Sequence, residues 1–187
     1  PIVHRGRTIF SQADWRSQYG KHLVYLPPAQ RLSRIQQIIQ KRIRPVVHQV
    51  RQEKEAEIVA AGEEVNEKTI KVLARIAAAQ ELASLTGTIG RLTELNPVIL
   101  YRRLWTDEAL LKRMSGGAAP QEWGDIRIQT LQFLDQAYIP YEDSAPLLYF
   151  QGMLEGFPAN HSIRHVVIDE AQDYTSLQYR ILARLFP

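Results

Sequence analysis

Asp169 and Glu170, followed by Ala171, Gln172 and Asp173, read DEAQD directly after the apolar run IRHVVI. Adjacent carboxylates in that position suit metal-assisted chemistry on phosphate. In phosphoryl transfer one acid holds Mg²⁺, directly or through water, and a second can orient the attacking water. Val166, Val167 and Ile168 suit a strand buried on both faces of a parallel sheet, where alternation is not required. The C-terminal edge of such a sheet is where ligands sit, because the loops there carry chemistry while the strands hold them. The same residues also read as a strand followed by an acidic turn whose carboxylates cap a helix beginning near Thr175. For Asp173, capping and a role at a bound nucleotide are compatible.

DEAQD followed by TSLQYRILARLFP resembles motif II of the superfamily 1 helicases of the UvrD, Rep and PcrA type, in which DExQD precedes a helix. The wider stretch YEDSAPLLYFQGMLEGFPANHSIRHVVIDEAQD, within residues 139–187, is similar to the HelD branch, also called helicase IV-like proteins. This resemblance implies Asp169 as the Mg²⁺ carboxylate, Glu170 as the general base for water, and Gln172 and Asp173 as residues that couple the nucleotide to neighbouring motor elements. It implies ATP and Mg²⁺ as cofactors of the intact protein, and DNA, single-stranded or duplex, as its partner. It further implies bacterial RNA polymerase, because proteins of that branch act on it through an elongated insertion that precedes motif II.

A phosphate-binding loop needs GxxxxGK[ST], in which backbone N–H groups cradle the phosphates and the lysine balances their charge. That spacing does not occur. Gly87 and Gly90 lie in LTGTIGRL, which reads as a helix-ending turn. The chain starts at Pro1 and stops at Pro187, just after the expected motif II helix, so the expectation is a piece of a first motor domain. Such a piece hydrolyses no ATP by itself, since the phosphate loop supplies most of the electrostatic stabilisation.

The absence of cysteine excludes a disulfide framework and a Cys-based zinc site. His161 and His165 are four apart but lack the HExxH pattern, and the second enters the expected strand, so no zinc helix is predicted. No apolar run approaches the roughly 18 to 20 residues of a membrane span, and no signal peptide opens the chain. A cytoplasmic location and no membrane partner are expected. The net charge of +3 proves nothing about nucleic acid, but its distribution is uneven.

The elements that must position DEAQD are mostly helical. IVHRGRTIF reads as a short hairpin around Gly6, with Ser11 and Asp14 capping a helix through Tyr19. After Pro27 and Pro28, the residues Leu32, Ile35, Ile39, Ile43, Val46 and Val50 form a three-and-four stripe on a helix to about Ala61, with a kink expected at Pro45. Gly62 is the stop. Val65, Thr69, Val72, Ile76, Ala79 and Ala83 repeat the spacing to about Leu85, which completes an antiparallel helical hairpin. Arg31, Arg34, Lys41, Arg42, Arg44 and Arg51 make one arm basic. Glu53, Glu55, Glu57, Glu63, Glu64 and Glu67 make the tip acidic, against Lys54 alone. These charges read either as solvated faces of long helices or as contact surface for nucleic acid or a partner.

Beyond the hairpin, Asn96-Pro97 opens a helix with Tyr101, Leu104 and Trp105, and Asp107 starts the next, ended by Gly116 and Gly117. SGGAAPQE is a surface loop, and Trp123 to Ala137 a further helix. Trp105 is expected in the core with Arg102 and Arg103 outside, in preference to a base-stacking cluster. Glu142 and Asp143 are expected as helix-start residues.

The fold class predicted is mainly α with a minor β part: a helical hairpin insertion and a helical subdomain attached to a fragment of a P-loop NTPase α/β motor domain. The expected segments are 1–26 (short β/helix element), 27–91 (hairpin), 92–156 (helical subdomain) and 157–187 (motif II strand and following helix). The function expected is part of an ATP-dependent DNA helicase or translocase of HelD type. The alternatives are a non-catalytic module whose hairpin binds RNA polymerase or another protein, and a DNA helicase whose insertion grips the duplex.

Overall fold

The computed structural model describes residues 1–62, 66–116, 118 and 121–187. The chain is mainly helical with one small two-stranded sheet, and it divides into two compact units, Pro1–Glu94 and Leu95–Pro187.

In the first unit, strands β1 (Ile2–His4) and β2 (Arg7–Phe10) pair antiparallel, with Val3 opposite Thr8 and His4 opposite Arg7. The two-residue turn between them puts Arg5 and Gly6 at φ 47° and 77°. Positive φ at both central residues matches the turn's twist to that of the strands. Helix α1 (Gln12–Ser17) starts on a reciprocal cap in which the Ser11 hydroxyl accepts from the Asp14 N–H and the Asp14 carboxylate accepts from the Ser11 N–H. A π-helical turn, Gln18–His22, follows it.

Helix α2 (Pro28–Ala60) opens with proline at its first position, where the missing N–H costs nothing. It runs on through Pro45, which faces solvent, so the Lys41 carbonyl left without its helical donor can bond water. Gly62, at φ 73°, supplies the left-handed residue just past its end. Helix α3 (Glu67–Thr93) is capped by Asn66, whose side chain accepts from the Thr69 N–H at 2.9 Å. It passes straight through Gly87 and Gly90, so the helix-ending turn expected there is not formed. Leu82, Leu85, Ile89 and Thr93 continue one buried stripe across both glycines, and packing of that stripe outweighs the roughly 1 kcal/mol propensity cost of each glycine.

The core of this unit joins Ile2, Ile9 and Phe10 to Ile35, Ile39, Ile43 and Val50 of α2 and to Ala78, Leu82, Leu85 and Ile89 of α3. The α2 stripe is the expected one. On α3 the expected stripe is on the wrong face: Val72 and Ile76 are each 48% exposed, whereas Ala74 and Ala78 are buried. Helix α3 is apolar on more than one side, so periodicity does not choose between faces. Alanines lie flat enough for two helix backbones to approach closely, and that face packs on α2.

The second unit centres on α4 (Pro97–Thr106), which packs against α5 (Glu108–Met114), α6 (Trp123–Asp135) and α7 (Tyr141–Glu155). Asn96 caps α4 by accepting from the Val98 and Ile99 N–H groups, and Asp107 caps α5 by accepting from Leu110. Tyr101, Trp105, Leu111 and Leu147 are buried together, with Trp123 and Phe150 packed on them. Arg102 and Arg103 point outward. Gly116 lies past the end of α5, while Gly117, Ala119 and Pro120 of the expected loop fall outside the described residues. Helix α8 (Ser176–Leu185) packs on α7.

No strand forms at 163–168, where one was expected. A strand is completed by its neighbours' N–H and C=O groups, and the sheet described here contains β1 and β2 alone. The β-branched run therefore stays exposed, with Val167 at 94%.

Candidate active site

DEAQD occupies the connection between the exposed run and α8. Its upstream end is tied down by the Asn160 N–H, which donates to the Leu185 carbonyl at 2.7 Å, and by the Asn160 side chain, which accepts from the N–H and hydroxyl of Ser162. Downstream, Thr175 and Gln178 cap α8 reciprocally, the Gln178 amide oxygen accepting from the Thr175 N–H at 2.7 Å. The capping role thus falls to Thr175 rather than to Asp173.

Between these anchors, Asp169 Oδ1 accepts from the Glu170 N–H at 2.9 Å. Glu170 adopts the left-handed conformation, φ 48° and ψ 45°, and Ala171–Asp173 then make a single 3₁₀ turn closed by the Asp173 N–H on the Glu170 carbonyl. The Gln172 side-chain amide donates to the Glu170 carboxylate. The Tyr179 hydroxyl reaches back from α8 to donate to the Ala171 carbonyl at 2.6 Å, and its ring lies against Tyr174. Asp169, Glu170 and Asp173 are exposed, and among the described residues none forms an ion pair with lysine or arginine.

Hard carboxylate oxygens that face water and are not neutralised by a protein cation fit Mg²⁺, which keeps several waters and takes one or two carboxylates alongside phosphate oxygens. Of the three, Asp169 has its Oδ1 on the Glu170 N–H and its Oδ2 uncommitted, so it is the carboxylate that could take such an ion. Among the described residues no group of three or more His, Asp or Glu converges into a protein-built metal cage.

The expected partner-binding residues divide into two sets. Arg31 donates to the Leu26 and Val24 carbonyls and covers the Tyr19 ring, and Arg42 pairs with Asp14 at 3.0 Å and covers the Phe10 ring. Both serve packing within the unit. Arg34, Lys41, Arg44 and Arg51 are exposed. At the acidic end, Glu53 is held by Arg5 at 2.6 Å, and Glu57 by Lys54 at 2.8 Å. Glu55 is half-buried, whereas Glu63 and Glu64 lie outside the described residues.

Sequence reading missed three positioning contacts. Arg5 forks across both arms of the hairpin, to Glu53 and to Glu81. Tyr179 anchors the DEAQD turn. Asp143 opens α7 as expected but is buried, where its carboxylate accepts from the Tyr101 hydroxyl at 2.7 Å. Burial first, then this bond, pushes the Tyr101 phenol well above its ordinary pKa. The Arg5 and Asp143 partners lie more than 40 residues away and Tyr179 reaches eight residues back to a main-chain carbonyl, so no local spacing marks these contacts.

No protein-family model, no curated protein and no solved structure matches the chain.

Proposed function

We propose that this chain is the motif II segment of an ATP-dependent superfamily 1 helicase or translocase of HelD type, part of a P-loop NTPase motor. The observation that carries the reading is the state of Glu170: a non-glycine residue in left-handed backbone, carboxylate exposed, next to a second uncompensated carboxylate. Arg5 and Ala137 also have positive φ, but they sit in a hairpin turn and just past a helix end, where that conformation is routine. Glu170 has no such excuse, and strain of this kind gathers at functional sites. In this reading Asp169 holds Mg²⁺ of Mg-ATP, Glu170 accepts the proton of the attacking water, and Gln172, bonded to Glu170, aims it. Asp173 passes the state of the site to neighbouring elements.

The test is ATP hydrolysis by the motor that carries this chain, wild type against Glu170→Gln. Loss of a general base lowers kcat by about 10²- to 10⁴-fold while nucleotide binding survives; an unchanged kcat sinks the assignment. The chain alone, without a GxxxxGK[ST] loop, is expected to show no turnover.

A second reading, an interaction module directed at RNA polymerase, is favoured by one observation. Val72, Ile76, Ala79 and Ala83 make an apolar seam on α3 at spacings of four, three and four, and it is exposed. Such a seam is what a partner helix or groove covers. Val72→Lys with Ile76→Lys should abolish retention of core RNA polymerase by the chain without loss of helix content; retention by the double variant would remove this reading.

A further inference from the structure

The outward face of α2 carries Arg34, Lys41, Arg44, His48 and Arg51, all exposed. Their spacings of seven, three, four and three keep them, at 100° per residue, within an arc of about 100°. That arc lies opposite Ile35, Ile39, Ile43 and Val50, which pack into the core. From Arg34 to Arg51 the stripe is about 25 Å long at 1.5 Å per residue.

Its surroundings are unusual in three respects. No Asp or Glu occurs from Pro28 to Gln52. Among the described residues, none of the stripe's cations forms an ion pair, although Arg5, Arg42 and Lys54 of the same unit all do. The charge order also opposes the helix dipole. Carboxylates stabilise a helix N-terminus and cations its C-terminus, yet α2 has no acid in its first turn and no base in its last. Helix stability therefore does not account for cations concentrated on one face of the N-terminal two-thirds, and solubility alone would not exclude acids from it.

We infer that this stripe is a docking surface for the phosphate backbone of nucleic acid. A row of exposed, uncompensated guanidinium and ammonium groups complements a line of phosphates, and 25 Å of duplex axis offers about seven phosphates per strand at 3.4 Å each. Arginine and lysine on one helix face supply contacts that position the helix without reading bases. The inference rests on α2 alone and stands whether or not DEAQD belongs to a motor.

The experiment is fluorescence anisotropy of the full chain with labelled duplex and single-stranded DNA across a salt series. Four phosphate contacts predict a slope of about −3.6 in log K against log salt on duplex and about −2.8 on a single strand. Affinity for duplex then falls on the order of 100-fold between 50 and 200 mM salt. The pair Lys41→Gln with Arg44→Gln should flatten the slope by about two. A charge-matched pair on α3, Lys68→Gln with Arg75→Gln, should leave it within about 0.5 of wild type. The form bound more tightly at the same salt identifies which one the stripe fits, because four equal contacts already make the duplex slope the steeper. A wild-type slope shallower than about −1, equal losses in both variant pairs, or competition by polyglutamate as effective as by DNA at equal charge would each overturn the proposal. Circular dichroism keeps the result clear of misfolding, since the substituted side chains make no contact the fold depends on.

Discussion

At the residue scale, the backbone of Glu170 costs stability, whereas the buried hydrogen bond of Tyr101 to Asp143 contributes it. A left-handed conformation costs a non-glycine residue about 1 kcal/mol or more. Glu170→Gly should therefore raise the stability of the chain by up to about 1 kcal/mol in a denaturant titration, while removing the carboxylate the proposed chemistry needs. Tyr101 and Asp143 present the opposite case. Tyr101→Phe leaves the Asp143 carboxylate buried without its donor, at a cost of about 1–3 kcal/mol. The pH dependence follows from the direction of the phenol's shift. Between the ordinary value near 10 and the raised folded value, the unfolded chain has lost the proton and the native chain retains it. Native stability is thus full below pH 10 and declines as pH rises beyond it. Tyr101→Phe should flatten that alkaline decline relative to wild type in melts taken on either side of pH 10.

At the scale of elements, two helical glycines make opposite predictions. Gly90, inside α3, has open space where a Cβ would stand, so Gly90→Ala should stabilise by about 0.5–1 kcal/mol through helix propensity. Gly152, inside α7, has the Phe157 ring pressed against the place a methyl would take. Gly152→Ala should instead destabilise by about 1–3 kcal/mol, since overpacking outweighs propensity. Thermal melts of the two variants, moving in opposite directions, check the argument.

The same elements show what sequence could and could not specify. Caps are local, and Ser11, Asn96 and Asp107 are each read correctly because a short polar side chain reaches only its own helix's first turn; at α8 the carboxylates of the acidic turn were the expected caps, and Thr175 takes that place. The face of α3 is not local: its choice between Val72 and Ala74 depends on what α2 presents. Residues 163–168 carry every compositional mark of a strand, but a strand is a relation between two segments. Within DEAQD the residue types were legible, while the backbone of Glu170 and the anchor from Tyr179 were not, being set by the turn into α8 and by a ring eight residues from its acceptor.

At the scale of the molecule, each unit has its own core, with Ile39 fully buried in the first and Leu147 nearly so in the second. Ile39→Ala and Leu147→Ala should each cost about 2–5 kcal/mol. Among the described residues the two core clusters have no member in common, so the effects should add within about 0.5 kcal/mol in the double variant, as measured by denaturant unfolding followed at each unit's own amides. A larger departure would mean that the two cores unfold as one.

The bare run before DEAQD has a use beyond chemistry. The amides of Ile163 to Ile168 bond to no other strand, so they should exchange deuterium within seconds, as unprotected backbone does. Any partner that lays a strand beside them would slow that exchange by the stability of the new pairing, which makes these six positions a gauge of strand pairing built into the chain.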